Sequence, residues 1–76
     1  MNKQRRKRIE EAVTLIEQAK DIIEEVSGDE EEAFENLPES LQYGERGEAM
    51  QTAVDNMQTA VGSLEEAVDS LEEAAE

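Results

Sequence analysis

The sequence predicts an all-α protein, an antiparallel helical hairpin with coiled-coil heptads that assembles into a dimeric four-helix bundle or a higher helical oligomer. Three observations predict it. Residues 53–75, AVDNMQTAVGSLEEAVDSLEEAA, repeat on a seven-residue clock: Val54, Val61 and Val68 fall at one heptad position, and Met57, Leu64 and Leu71 follow three residues later. Spacings of three and four put these side chains on one stripe of a helix, and such a stripe leaves water only against another helix. A second apolar stripe precedes it, and the only proline lies between the two. Third, the chain is too short to be secure alone. At 76 residues it is one domain, 1–76, and such chains seldom gain more than roughly 3–5 kcal/mol from a core without disulfides, metal or oligomerisation. With neither cysteine nor histidine in the chain, oligomerisation is the support that remains.

The first helix is expected over about residues 3–36. Ile9, Ala12, Ile16, Ala19, Ile23 and Val26 alternate by three and four, and Val13, Leu15 and Ile22 widen the apolar face enough to touch more than one neighbour. Ser27-Gly28-Asp29 looks like a helix stop. A stop there would leave a connection of about 20 residues, too long for a small domain, and DEEEAFEN is rich in helix formers. The helix is therefore expected to run on, with Gly28 a weak point and Glu30, Ala33 and Leu37 at the next core slots. Glu30 at such a slot implies that the tight seam lapses there.

The corner is expected over residues 37–47. Pro38 disfavours helix at Leu37 and can open a short turn, Glu39-Ser40-Leu41-Gln42. Gly44 suits a left-handed cap after that turn, and Gly47 a second flexible point. Helix 2 then runs over about 48–75, opening at about Glu45 or Glu48. Ala53, Ala60, Ala67 and Ala74 form a row that lets a neighbouring backbone come close, while Gly62 lies outside the seam with no evident reason.

The net charge of −14 is unevenly placed. Lys3, Arg5, Arg6, Lys7 and Arg8 hold five of the seven positive charges, so beyond residue 8 two positive charges face 21 negative ones, a balance of −19. A body that acidic repels phosphate backbones and anionic headgroups and attracts basic partners. The chain contains no long apolar run, so no membrane partner is expected, and Ile9-Glu10-Glu11 is no signal-peptide core.

The basic cluster has two readings: an arm that grips nucleic acid, or charges that neutralise the acidic end of helix 2 (Glu72, Glu73 and Glu76) across the hairpin. The second is favoured, because no aromatic lies nearby to stack on bases. The acidic runs Asp29–Glu32, Glu65–Glu66 and Glu72–Glu73 do not form a calcium loop. They are read as a solvated face or, less favoured, as a mimic of DNA. No nucleophile–base pair, phosphate-binding glycine loop or metal cluster is evident, so neither enzymatic activity nor a cofactor is expected. The corner is the least generic stretch. Phe34, Leu37, Leu41 and Tyr43 could form a mini-core, with Arg46 paired to Glu39 or Glu45. Alternatively, Asn36, Leu41, Gln42, Tyr43 and Arg46 present a partner-binding knob, since Tyr and Arg are favoured interface anchors. The expected oligomer interface is Ile9, Ile16, Ile23, Val54, Met57, Val61, Leu64, Val68 and Leu71.

The run NLPESLQYGERGEAMQ, set between a charged helix and a repeating AV…LEEAV…LEEA helix, resembles small acidic proteins encoded by phages and prophages of Gram-positive bacteria. The resemblance covers nearly the whole chain and implies a phage product in the bacterial cytoplasm. It carries over no catalytic or ligand residues. The expected function is a non-enzymatic interaction protein that self-assembles through its heptad faces and binds a host or phage protein, inhibiting it. The alternatives are an acidic DNA mimic, or a structural or nucleic-acid-associated protein using residues 3–8.

Overall fold

The computed structural model describes residues 1–76. Three helices follow in chain order: α1 (Lys3–Glu35), α2 (Glu39–Gln42) and α3 (Glu45–Ala74). α1 and α3 pack against each other in antiparallel fashion, and α2 packs on α3 at the corner. The result is a rod of 58 × 15 × 12 Å. Its radius of gyration is 17.2 Å, against about 11.4 Å for a compact domain of this length.

α1 begins where Asn2 accepts the Arg5 backbone N–H at 2.8 Å. This cap matters because the first turn holds no acidic residue to offset the basic run. Arg6 crosses to the end of α3, donating from Nε to the Ala75 carbonyl at 2.8 Å and from a terminal guanidinium nitrogen to a Glu76 backbone oxygen at 3.4 Å. Of the arm, Arg6 alone meets the end of α3, and it does so through backbone oxygens, not the carboxylate side chains of Glu72, Glu73 or Glu76 that the charge-neutralising reading named.

α1 runs through Gly28 without a break. An added Cβ at Gly28 or at Gly62 would meet nothing within 4 Å. Each glycine lowers helix stability by roughly 0.5–1 kcal/mol relative to alanine. Gly28→Ala and Gly62→Ala are therefore each expected to raise the unfolding temperature by a few degrees; a fall in calorimetry would reveal a role for the bare backbone.

The corner departs from expectation at both glycines. Gly44 has φ −92° and ψ −174°, an extended N-cap for α3 and not a left-handed cap. α3 accordingly opens at Glu45, the earlier of the two expected starts, with Glu45 and Glu48 placing negative charge in its first turn. Gly47 is a buried residue of the first turn of α3 and not a flexible joint. A Cβ there would fall on the Gln42 carbonyl oxygen and lie 2.6 Å and 2.7 Å from the Gln42 carbonyl carbon and Cα. Only glycine lets α2 and α3 approach so closely. The expected short turn at Glu39–Gln42 is present, with the Leu41 and Gln42 N–H groups bonded to the Pro38 carbonyl at 2.8 and 3.2 Å.

The seam of α1 also differs from the expected one. The line of half-buried and buried positions facing α3 is Ile9, Val13, Ile16, Lys20, Ile23, Ser27, Glu30, Phe34 and Leu37; Ala12 and Glu17 beside it are half-buried too, whereas Ala19, Val26 and Ala33 are exposed. Both sets alternate by three and four and share Ile9, Ile16 and Ile23. The larger side chains settle the choice. Phe34 lies in line with Val13, Lys20 and Ser27, while the line through Ala12, Ala19 and Val26 ends at Ala33. On α3 the seam is Gly47, Met50, Val54, Met57, Val61, Leu64, Val68, Leu71 and Ala75. The Lys20–Glu65 contact, and hollows lined jointly by Phe34 and Val54, by Ser27 and Val61 and by Ile9 and Ala75, show the register. It sets Ile16 opposite Val68, Ile23 opposite Val61, Glu30 opposite Val54 and Phe34 opposite Met50. Lys20, Ser27 and Glu30 interrupt this seam, and only Val54 and Val68 are buried hydrophobic residues.

Candidate functional site

In an antiparallel pair the residues beside the seam fall on two flanks, and these two are chemically opposite. On one flank α1 places Glu10, Glu17, Glu24 and Glu31, one every seven residues, and α3 places Gln51, Gln58, Glu65 and Glu72 beside them. Shallow hollows along this flank are lined by Glu24, Glu31 and Gln58, and near the termini by Glu10 and Glu72. Glu17 and Glu65 meet on Lys20, whose Nζ lies 3.3 Å and 3.9 Å from their carboxylates. The Lys20 side chain is only 19% exposed, so its aliphatic stem fills a seam layer while the ammonium reaches the acids.

A hydrogen bond to Glu17 and the charges of Glu17, Glu65 and Glu24 hold the Lys20 pKa above its ordinary 10.5, against the opposing effect of burial. A base whose pKa is raised on folding stabilises the fold below its unfolded pKa, and the contribution disappears as pH rises through the folded value. The unfolding temperature of the wild type should therefore drop as pH climbs past 10.5, and the drop should be smaller in Lys20→Met. Parallel curves for the two proteins would show that this pairing contributes nothing.

The opposite flank carries Ala12, Leu15, Ala19, Ile22, Val26 and Ala33 on α1. α3 adds Ala53, Ala60, Ala67 and Ala74, with Ala49, Asn56, Ser63 and Ser70 outside them. Leu15 is 66% exposed, Ile22 62% and Val26 49%. Sequence reasoning saw Leu15 and Ile22 as extra width but missed that they complete a second heptad stripe. The signal was there: 12, 15, 19, 22 and 26 alternate by three and four.

At the corner, Phe34 and Leu37 are half-buried, while Leu41 and Tyr43 are exposed, so the expected mini-core takes in only the first two. Tyr43 is 84% exposed. Asn36 and Arg46 are exposed too, and Arg46 pairs with neither Glu39 nor Glu45. Gln42 turns inward. Its Nε2 lies 3.2, 3.4 and 3.2 Å from the carbonyl oxygens of Phe34, Glu35 and Leu37, so its two N–H groups are shared among the carbonyls that follow the last turn of α1, of which Phe34's also accepts the Leu37 N–H at 3.0 Å. Together with the tight contact at Gly47, this braces the tip beneath Leu41 and Tyr43.

In the basic arm, Arg6 is engaged with α3 and Arg8 pairs with Glu11 at 2.7 Å, whereas Lys3, Arg5 and Lys7 make no ion pair. The nine residues expected at an oligomer interface (Ile9, Ile16, Ile23, Val54, Met57, Val61, Leu64, Val68 and Leu71) all lie on the seam between α1 and α3 of one chain. No helix is long and apolar enough to cross a membrane. Comparison with protein-family models, curated proteins and solved structures finds no match.

Proposed function

We propose that this chain is a non-enzymatic, phage-type interaction protein of the bacterial cytoplasm that self-assembles and captures a host or phage protein at its tip, inhibiting it. The observation that carries this reading is the exposed pair Leu41 and Tyr43 on a braced corner. Tyr43 is 84% exposed and so adds little to the packing of the fold, and the braced backbone beneath it loses little entropy when a partner covers the ring. Arg46 and Asn36 supply polar contacts around it, and Gln42 acts as the brace. The phage assignment rests on the resemblance of the corner sequence.

The test is capture from a bacterial host lysate by the wild type and by the Tyr43→Ala/Arg46→Ala double variant, with circular dichroism and sedimentation on both. Unchanged helicity and size with loss of the captured protein supports the tip. Capture of the same protein in the same yield contradicts it.

The acidic flank favours a second reading, a DNA mimic that blocks a DNA-binding protein. It predicts that duplex DNA competes with the chain for the partner and that salt weakens the complex steeply. Reversing Glu65, Glu66, Glu72 and Glu73 to Lys should then abolish inhibition; retained inhibition rules this reading out.

A further inference from the structure

We propose that the flank bearing Leu15, Ile22 and Val26 is where a second copy of this chain docks, antiparallel about a two-fold axis, with Arg8 of each copy against Asp29 of the other. The inference rests on the self-assembly part of the reading above and names its surface and its orientation.

Three observations converge on it. The first is the second heptad stripe. Ala12, Leu15, Ala19, Ile22 and Val26 form a seam as regular as the one α3 covers, displaced about a quarter turn around α1, and all of them but the half-buried Ala12 are exposed. Beside it α3 presents only Ala, Ser and Asn over residues 49–74. In a chain that is 37% charged, this flank carries no charge between Arg8 and Asp29 on α1. Small side chains let a second pair of helices approach to ordinary bundle distance. The acidic flank cannot serve the same purpose, because it would set the Glu rows of two copies against each other.

The second observation is charge order. Along the outer column of this flank, one residue in every seven reads Arg8, Leu15, Ile22, Asp29. Run antiparallel against itself, the column is self-complementary: Arg8 meets the partner's Asp29, Leu15 meets the partner's Ile22, and both pairs occur twice, as a two-fold contact requires. The same register lays Ala12 beside the partner's Val26 and brings the two copies of Ala19 together near the axis. A parallel alignment would set Arg8 on Arg8 and Asp29 on Asp29. The order of charges therefore selects both the occupant and its direction.

The third is area. The chain exposes 5757 Å², against about 4,650 Å² for a compact monomer of 8.5 kDa. The excess of roughly 1,100 Å² is comparable to the ~800 Å² that each partner buries in an interface of standard size. One dimer contact along the flank would bring each hairpin close to the exposure of an ordinary domain.

The test is sedimentation equilibrium of the wild type, Arg8→Glu, Asp29→Arg and the double swap Arg8→Glu/Asp29→Arg, with circular dichroism on each. The wild type should dimerise, and each single reversal should weaken the dimer at least tenfold. The double swap, which restores the net charge and the cross-pairs, should recover most of the affinity. Asp29→Arg is the decisive single variant. It makes the chain less negative, so relief of general repulsion alone would strengthen the dimer, whereas loss of the specific pair weakens it. A disulfide test stands beside it, since the chain has no cysteine. Ala19→Cys should cross-link two copies on oxidation, and Glu24→Cys, on the acidic flank, should not. A helical monomer at every concentration would overturn this interface together with the self-assembly reading. A dimer indifferent to the charge swaps, or one that cross-links through Glu24→Cys and not Ala19→Cys, would overturn the interface and leave self-assembly standing.

Discussion

Gly47→Ala should be the most damaging single methyl group that can be added to this chain. The new Cβ would meet the backbone of Gln42, including its carbonyl carbon at 2.6 Å, and a backbone cannot rotate aside as a side-chain tip can. Relief requires α2 to lift away from α3, which breaks the Gln42 bonds to the carbonyls of Phe34, Glu35 and Leu37. Overpacking of this kind costs about 1–3 kcal/mol, and the loss of these part-buried hydrogen bonds adds to it. For a hairpin with so small a core, that is a large share of its stability. Denaturant unfolding should show a midpoint well below wild type, with Gly44→Ala much closer to it, because the Gly44 Cβ would find only the Leu41 carbonyl oxygen at an ordinary 3.6 Å. Equal midpoints for Gly47→Ala and wild type would mean that the corner does not pack as closely as described.

The largest gain should come from Glu30→Leu. Glu30 is half-buried at a seam position opposite Val54, one of the two buried hydrophobic side chains. A leucine there would replace a carboxylate at the edge of the seam with apolar surface and join Val54 to the layer of Phe34. Burying a leucine side chain is worth about 1.5–3 kcal/mol when complete. In a domain of this size each 1 kcal/mol raises the melting temperature by about 4–8 °C. A rise of roughly 5–15 °C in calorimetry is expected for this half-buried site, on the same scale. An unchanged or lower melting temperature would show that Glu30 turns out of the seam.

The helices themselves were legible because heptads, Pro38 and the helix-forming run after Gly28 are local signals. The face of α1 was not. Ile9, Ile16 and Ile23 belong equally to two stripes, and the one richer in Ala and Val looked like the core. The fold uses the stripe carrying Lys20 and Ser27, because that line continues into Phe34 where the other ends at Ala33. The choice is made by large side chains far along the helix, which a count of apolar residues per turn does not weigh. Gly44 and Gly47 were misjudged for a related reason. Sequence marks a glycine as permissive but does not say whether the fold uses its freedom of φ or its missing Cβ, and here Gly47 is needed for the second. Gln42 looked like a surface residue because a polar side chain in a turn usually is one. Its bonds to the end of α1 depend on how far the chain folds back, which only the tertiary structure sets.

The polar seam and the exposed Leu15, Ile22 and Val26 have a common consequence. Interior that a single hairpin lacks is present on its outer flank, ready to be buried between copies. Whether one hairpin needs another to hold its shape is tested most directly by thermal unfolding, followed by circular dichroism, across a dilution series from high micromolar to nanomolar. If association supports the fold, the melting temperature falls steadily with dilution and helicity is lost at the dilute end. A melting temperature independent of concentration, with full helicity retained at nanomolar protein, would contradict it.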